Sequence, residues 1–151
     1  MAIGDVCNRD VVFIHGKRTV ADASRLMRAH HVGCVVVVDD ELSQRPVGMF
    51  TDRDVAVGVV ALGLDPELTV VATVMRPGVA CVLENESLAR AVALMRDQGV
   101  RRLPVVDAAG RLAGLIAADD LLDILAGEIS DLAVTVSRGI GCEARERLAA
   151  T

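Results

Sequence analysis

The chain repeats itself, and that limits its possible folds more than any other feature. Sliding it by 68 places sets "RTVADASRLMRAHHVGCVVVVD" over "ESLARAVALMRDQGVRRLPVVD", so that Val20 meets Leu88, Leu26 meets Leu94, Met27 meets Met95 and Asp39 meets Asp107. The same shift brings "DVC" (Asp5–Cys7) over "TVM" (Thr73–Met75) and Ile14 over Val82. Beyond Asp39 the shift falls to 66, because "DDELSQRPVG" is two residues longer than "DAAGRLAG". "GMFTDRD" (Gly48–Asp54) then lies over "GLIAADD" (Gly114–Asp120). An insertion at that point is what a hairpin loop tolerates. One supersecondary unit is written twice.

Each copy reads in the order β-α-β-β-α. "VVFI" (Val11–Ile14) and "ACVL" (Ala80–Leu83) are short strands, each followed by a helix. Thr19 and Ser87 are good N-caps, and apolar residues recur behind them at helical spacing. Gly33 and Gly99 stand near the helix ends, where a left-handed residue is needed. "CVVVVD" and "RLPVVD" are strands that turn back through polar loops into "PVGMF" and "RLAGLI". Asp39, Asp40 and Glu41 read as a solvated turn. A second helix is predicted from near Thr51 to near Gly63, and its counterpart from near Ala118. The fold class is α/β, with the two repeats packed face to face about a pseudo-twofold axis and two equivalent clefts between them. The boundaries read as 1–66 for repeat one with its N-terminal segment, 67–126 for repeat two and 127–151 for a helical tail.

Composition excludes several functions. Hydrophobic residues make up 52%, yet Trp and Tyr are absent and Phe occurs twice, so the core is aliphatic and no aromatic platform exists for single-stranded nucleic acid. Sixteen Lys and Arg against twenty-one Asp and Glu give a net charge of -5, the wrong sign for binding a phosphate backbone, so nucleic acid is not an expected partner. No apolar run approaches the roughly 18 residues of a membrane span. The N-terminus lacks a signal-peptide pattern, and a cytoplasmic location is expected. Cys7, Cys34, Cys81 and Cys142 form no C-x-x-C, and with the scattered histidines they give no metal site. Cys34 and Cys81 read as small core residues; Cys7 and Cys142 could pair. No nucleophile, Walker or H-E-x-x-H motif appears, so no catalytic residue is assigned and no enzyme is expected.

The chain resembles a tandem pair of cystathionine-β-synthase (CBS) domains. "GMFTDRD", "GLIAADD", the two "LMR" helix segments, "GVRRLPVVD" and the linker "TVMRPG" carry the resemblance, over roughly Ile3 to Leu125. It implies a non-catalytic regulatory module, with no cofactor required, that binds an adenosine-containing ligand such as AMP, ADP, ATP or S-adenosylmethionine. It further implies that Asp54 accepts the ribose hydroxyls, that Thr51 opens a helix beside the phosphates, and that Arg101 and Arg102 reach those phosphates from the opposite repeat. Free N–H groups at the helix start suit an anion, and the guanidinium fork suits phosphate oxygens. In the second cleft Asp120 is retained, but Ala117 replaces the hydroxyl and Gly33 and Cys34 stand where the arginines would be. That weaker cleft is expected to be empty or to take a less charged ligand.

Plainer readings stand beside these. Thr51-x-x-Asp54 is also a capping box that needs no ligand. Arg101 and Arg102 are adjacent, and side chains along a strand alternate between faces, so both do not easily enter one cleft; Arg102 begins the strand and Arg101 precedes it, so the local turn geometry decides. Beyond Leu125, Ile129, Leu132, Ala133 and Val136 keep a helical stripe, with a break expected near Gly139–Gly141. That stripe points to packing on a second subunit, in line with the dimers the resemblance implies. A ligand-free structural dimer with vestigial clefts and a thiol redox responder are the alternative functions. The downstream partner is not legible.

Overall fold

A computed structural model gives the structure; it describes residues 1–149, with side chains described through residue 139. Repeat one contributes β1 (Phe13–His15), α1 (Val20–His30), β2 (Cys34–Val38), β3 (Pro46–Thr51) and α2 (Asp52–Val55), which widens into a π turn over Ala56–Val60. The linker forms α3 (Val71–Val74) and β4 (Arg76–Pro77). Repeat two supplies β5 (Val82–Leu83), α4 (Leu88–Gln98), β6 (Arg102–Val106), β7 (Leu112–Ala117) and α5 (Ala118–Ala149). Residues 1–117 form one compact unit and the residues from Ala118 a second.

The local chemistry of each repeat explains its elements. The Thr19 hydroxyl accepts from the Asp22 N–H at 3.1 Å and starts α1; Ser87 does the same for Arg90 at 3.3 Å and starts α4. At the C-terminal ends Val32 N–H bonds the Met27 carbonyl and Val100 N–H the Met95 carbonyl, both at 3.0 Å. Such a closure needs a left-handed residue. Gly99 supplies it at φ 64, but in α1 the residue is His31 at φ 54. Gly33, the expected stop, lies two residues beyond and is not left-handed.

β1 runs parallel to β2 with α1 as the crossover, and β2 pairs antiparallel with β3, Cys34 facing Thr51. β5, β6 and β7 repeat the pattern, with Arg102 facing Ala117. Both hairpins carry an irregularity at equivalent points, Val37/Val38 and Val105/Val106. The repeat-one core gathers Ile14, Val20, Met27, Val35, Val37 and Phe50. It is aliphatic apart from Phe50, the largest fully buried side chain.

The leading segments of the two halves are exchanged. Ile3 and Gly4 donate N–H bonds to the carbonyls of Glu86 and Glu84 at 2.9 and 2.8 Å, and Asn8 bridges to Leu115 on β7. Their counterparts from the linker sit on repeat one: Val71 is buried in its core and β4 pairs with Gly48 and Met49 of β3. The bridges Ala2–Ser87 and Thr19–Val70 are one contact made twice under the 68-residue shift. Close approach sets the glycines here. A Cβ on Gly48 would lie 2.5 Å from the Met75 sulfur, and one on Gly114 would lie 2.5 Å from the Cys7 sulfur.

α5 continues as helix through Gly139 to Ala149, where the sequence suggested a break. A glycine inside a helix costs only about 1 kcal/mol, less than a chain termination demands without a capping partner. No helix of the described residues is long and apolar enough to cross a membrane.

Candidate functional site

A cavity of about 550 Å³ opens within the first unit, and the two repeats line it jointly. Thr51 and Asp54 come from the β3–α2 junction, Arg101 and Arg102 from the approach to β6, and all four line the same space. Both arginines reach it because only Arg102 belongs to the strand. Arg101 sits in the bend before it, where strand alternation does not apply.

The capping box is formed in full. The Thr51 N–H and hydroxyl both donate to Asp54 Oδ2, at 2.9 and 2.7 Å, and the Asp54 N–H donates back to the Thr51 hydroxyl at 3.2 Å. Asp54 Oδ1 accepts no hydrogen bond among the described residues. Capping therefore uses one carboxylate oxygen and leaves the other without a hydrogen bond among the described residues.

The start of α2 differs from expectation. Its N–H groups are not free: Asp52 N–H donates to the Gly33 carbonyl at 3.0 Å, Arg53 N–H to Asp52 Oδ1 at 2.8 Å, and Asp54 N–H to Thr51. The chain satisfies its own helix end with a carbonyl, a carboxylate and a hydroxyl from within the first unit. Gly33 also lines this cavity, although the sequence placed it across the other cleft. The strand register explains this, because Cys34 pairs with Thr51 and so holds Gly33 beside the start of α2.

The cavity's cations come from three separate segments. Arg53 and Arg76 line it together with Arg101 and Arg102, and none of the four makes an ion pair among the described residues. Most other arginines are paired, for instance Arg18 with Asp22 and Arg111 with Asp107. Arg76 escaped the sequence reading because its linker is contributed by exchange; the only hint was the "TVMRPG" fragment itself. Gly78, Val79 and Ala80 complete that wall. Asp120 lies in the first turn of α5, in the second unit, and is not among the residues lining this cavity.

Cys34 is buried against the site, and burial pushes its thiol up; the Arg102 charge opposes that shift and Asp52 adds to it. Burial also pushes up the thiols of Cys7 and Cys81. All three stay protonated and poorly nucleophilic at neutral pH. Cys81 is half-buried, short of a full core position. The suggested Cys7–Cys142 pairing lies outside the described residues. No group of three or more His, Cys, Asp or Glu among the described residues could hold a metal ion.

The profile of the CBS domain family matches residues 3–60 and again 71–127. The chain belongs to the CBS domain family. It is a tandem CBS pair, and its relatives agree. An uncharacterized protein of Methanopyrus kandleri is 35% identical over 82% of this chain, which spans 62% of that protein's length. Hypoxic response protein 1 of Mycobacterium tuberculosis is 31% identical over 78% of this chain and 80% of its own. A crystal structure of Hypoxic Response Protein I, with two coordinated zinc ions, superposes with a TM-score of 0.72 at 28% identity, covering 82% of this chain and 98% of that one. The cytosolic domain of the Mg2+ channel MgtE, in complex with ATP, superposes with a TM-score of 0.68 at 31% identity, over 82% of this chain and 48% of that one.

Proposed function

We propose that this CBS pair is a non-catalytic regulatory module that binds an adenosine-containing ligand, an adenine nucleotide such as AMP, ADP or ATP, in the cavity between its repeats. One observation carries the reading: four arginines without acid partners converge on a cavity in which a fixed carboxylate keeps one oxygen unused. Asp54 Oδ1 is the acceptor for ribose hydroxyls, because one carboxylate oxygen can take two such donors. The guanidinium groups are the counter-charge for phosphate. The ATP complex of the MgtE domain supports the ligand class. The test is calorimetry with AMP, ADP, ATP and S-adenosylmethionine. Wild type binds at least one of them, and Asp54→Ala loses at least tenfold in affinity while its unfolding free energy falls only by the worth of a cap, about 1 kcal/mol. Silence from all four ligands would sink the reading.

The output is a change in contacts with a second copy of the chain or with another partner. On α5, Leu122, Leu125, Ile129, Leu132 and Val136 follow alternating spacings of three and four, and all five are exposed. β-branched residues at two of the first heptad positions and Leu at the second suit a two-stranded pairing. Ile129→Glu combined with Leu132→Glu is expected to halve the mass seen by light scattering; an unchanged dimer mass, or a monomeric wild type, counts against a homodimer built on this stripe.

A further inference from the structure

The cavity holds one charged group that the nucleotide reading does not use, and that group has the wrong sign. Asp52 lines the space beside Thr51, between the start of α2 and Gly33. Its Oδ1 accepts from the Arg53 N–H at 2.8 Å, and its own N–H is tied to the Gly33 carbonyl at 3.0 Å. Oδ2 sits over Gly33 so closely that a Cβ there would stand 3.2 Å from it. Gly33 does not take the left-handed φ that favours glycine, so its smallness, not its flexibility, makes room for this carboxylate. In the other repeat Arg101 stands at the equivalent position and Ala118 replaces Asp52. No arginine forms an ion pair with Asp52 among the described residues, although four line the same cavity.

We infer that Asp52 is a specificity-determining residue: its carboxylate takes the place beside α2 that the far end of a phosphate chain would otherwise fill, and so limits how much negative charge a bound nucleotide can carry. This rests on the proposed nucleotide site. The charge balance makes the limit concrete. Four arginines against Asp52 and Asp54 leave a fixed charge of +2 (4 − 2). A single phosphate monoester carries about −1.5 to −2 at neutral pH and balances it. Each additional phosphate adds charge with no further cation to meet, and with Asp52 close by. The same carboxylate occupies the Arg53 N–H, while the Gly33 carbonyl and the Thr51 hydroxyl take the N–H groups of Asp52 and Asp54, so the arginine wall, not the start of α2, is the phosphate seat. The site is thereby tuned to a nucleoside monophosphate over the di- and triphosphate.

The experiment titrates adenosine, AMP, ADP and ATP, with chelator present to exclude magnesium, into wild type, Asp52→Asn and Asp52→Glu. Asn at 52 still offers an oxygen to the Arg53 N–H, so the helix start is retained, and unchanged thermal midpoints verify it. Wild type is expected to bind AMP more tightly than ATP. Asp52→Asn is expected to raise ATP affinity roughly five- to tenfold, the size of one partly exposed charge contact, with adenosine unchanged, while Asp52→Glu keeps the wild-type order. If wild type binds but Asp52→Asn leaves the ATP-to-AMP ratio within twofold, or strengthens adenosine equally, this inference falls and the nucleotide site stands. If neither wild type nor Asp52→Asn binds any of the four, both fall together.

Discussion

His31 and Gly99 do the same job with unequal ease. Both end a helix in the left-handed region, at φ 54 and φ 64. A side chain with a Cβ there costs roughly 1 kcal/mol, whereas glycine pays almost nothing. The His31 side chain is exposed and makes no hydrogen bond among the described residues, so nothing recovers that cost. His31→Gly should therefore raise the unfolding free energy by about 1 kcal/mol, read as a higher urea midpoint at unchanged slope. Gly99→His should lower it by a similar amount. A loss of stability in His31→Gly would show that the imidazole packs usefully. The sequence pointed to Gly33 as the helix stop because a glycine was nearby; the repeat alignment, which sets His31 over Gly99, was the better guide. Thr51 and Asp54 were legible because a capping box is local, four residues end to end. Arg76 was not, since nothing within its own neighbourhood says which repeat it will face.

The two hairpin loops show how an element keeps its shape when its length changes. Asp39 Oδ1 accepts from the N–H groups of Asp40 and Arg45, at 2.8 and 2.9 Å, and from the Ser43 hydroxyl. Asp107 Oδ1 accepts from Ala109 and Arg111 at 2.8 and 2.9 Å across the shorter loop. The aspartate that opens each loop organises it, which is why the repeat keeps that residue while the interior gains two. These bonds favour the ionised form. The Ser43 hydroxyl holds the Asp39 carboxyl below its ordinary value, the Ser43 N–H does so for Asp40, and the Arg111 N–H does so for Asp107. A carboxyl depressed in the folded state contributes stability that is complete above its unfolded value of about 3.9 and is lost as pH falls through the folded one. These three carboxyls should thus add no pH dependence of their own between about 5 and 8, and the loops should loosen in acid. Carboxyl carbon titration by NMR should place all three midpoints below those of ordinary aspartates, and Asp107→Asn should remove the acid dependence of the second loop's amide protection. Midpoints at the ordinary value would refute this. Length and pattern gave these hairpins and α5 from sequence, but not its continuation past Gly139 and Gly141, because each glycine weakens a helix by only about 1 kcal/mol without stopping it.

At the scale of the whole molecule the exchanged segments decide how the halves depend on each other. Periodicity revealed two copies and their element order, since each helix and hairpin is written within a few residues. It could not reveal that residues 3–8 pack on β7 while the linker packs on β3, because the same apolar pattern serves either docking. The cue lay in the glycines that open "GMFTDRD" and "GLIAADD". Each marks where the other half's leading segment crosses a strand too closely for a side chain. Gly48→Ala and Gly114→Ala should each destabilise by about 1–3 kcal/mol, the usual cost of overpacking. The two should differ in how they are rescued. At Gly114 the obstacle is the Cys7 sulfur at 2.5 Å, with the nearest backbone atom, the Asn8 carbonyl oxygen, at 3.1 Å. Cys7→Ala should then restore most of the loss. At Gly48 the Arg76 carbonyl oxygen itself stands at 2.8 Å behind the Met75 sulfur, so Met75→Ala should recover little. Double-mutant cycles from urea denaturation measure the two couplings directly. With Ile3 buried in repeat two and Val71 buried in repeat one, a wedge at either crossing strains both halves. Each variant should therefore shift one shared unfolding transition of residues 1–117, whereas a half that melted separately would show that the exchange does not bind the repeats into a single cooperative unit.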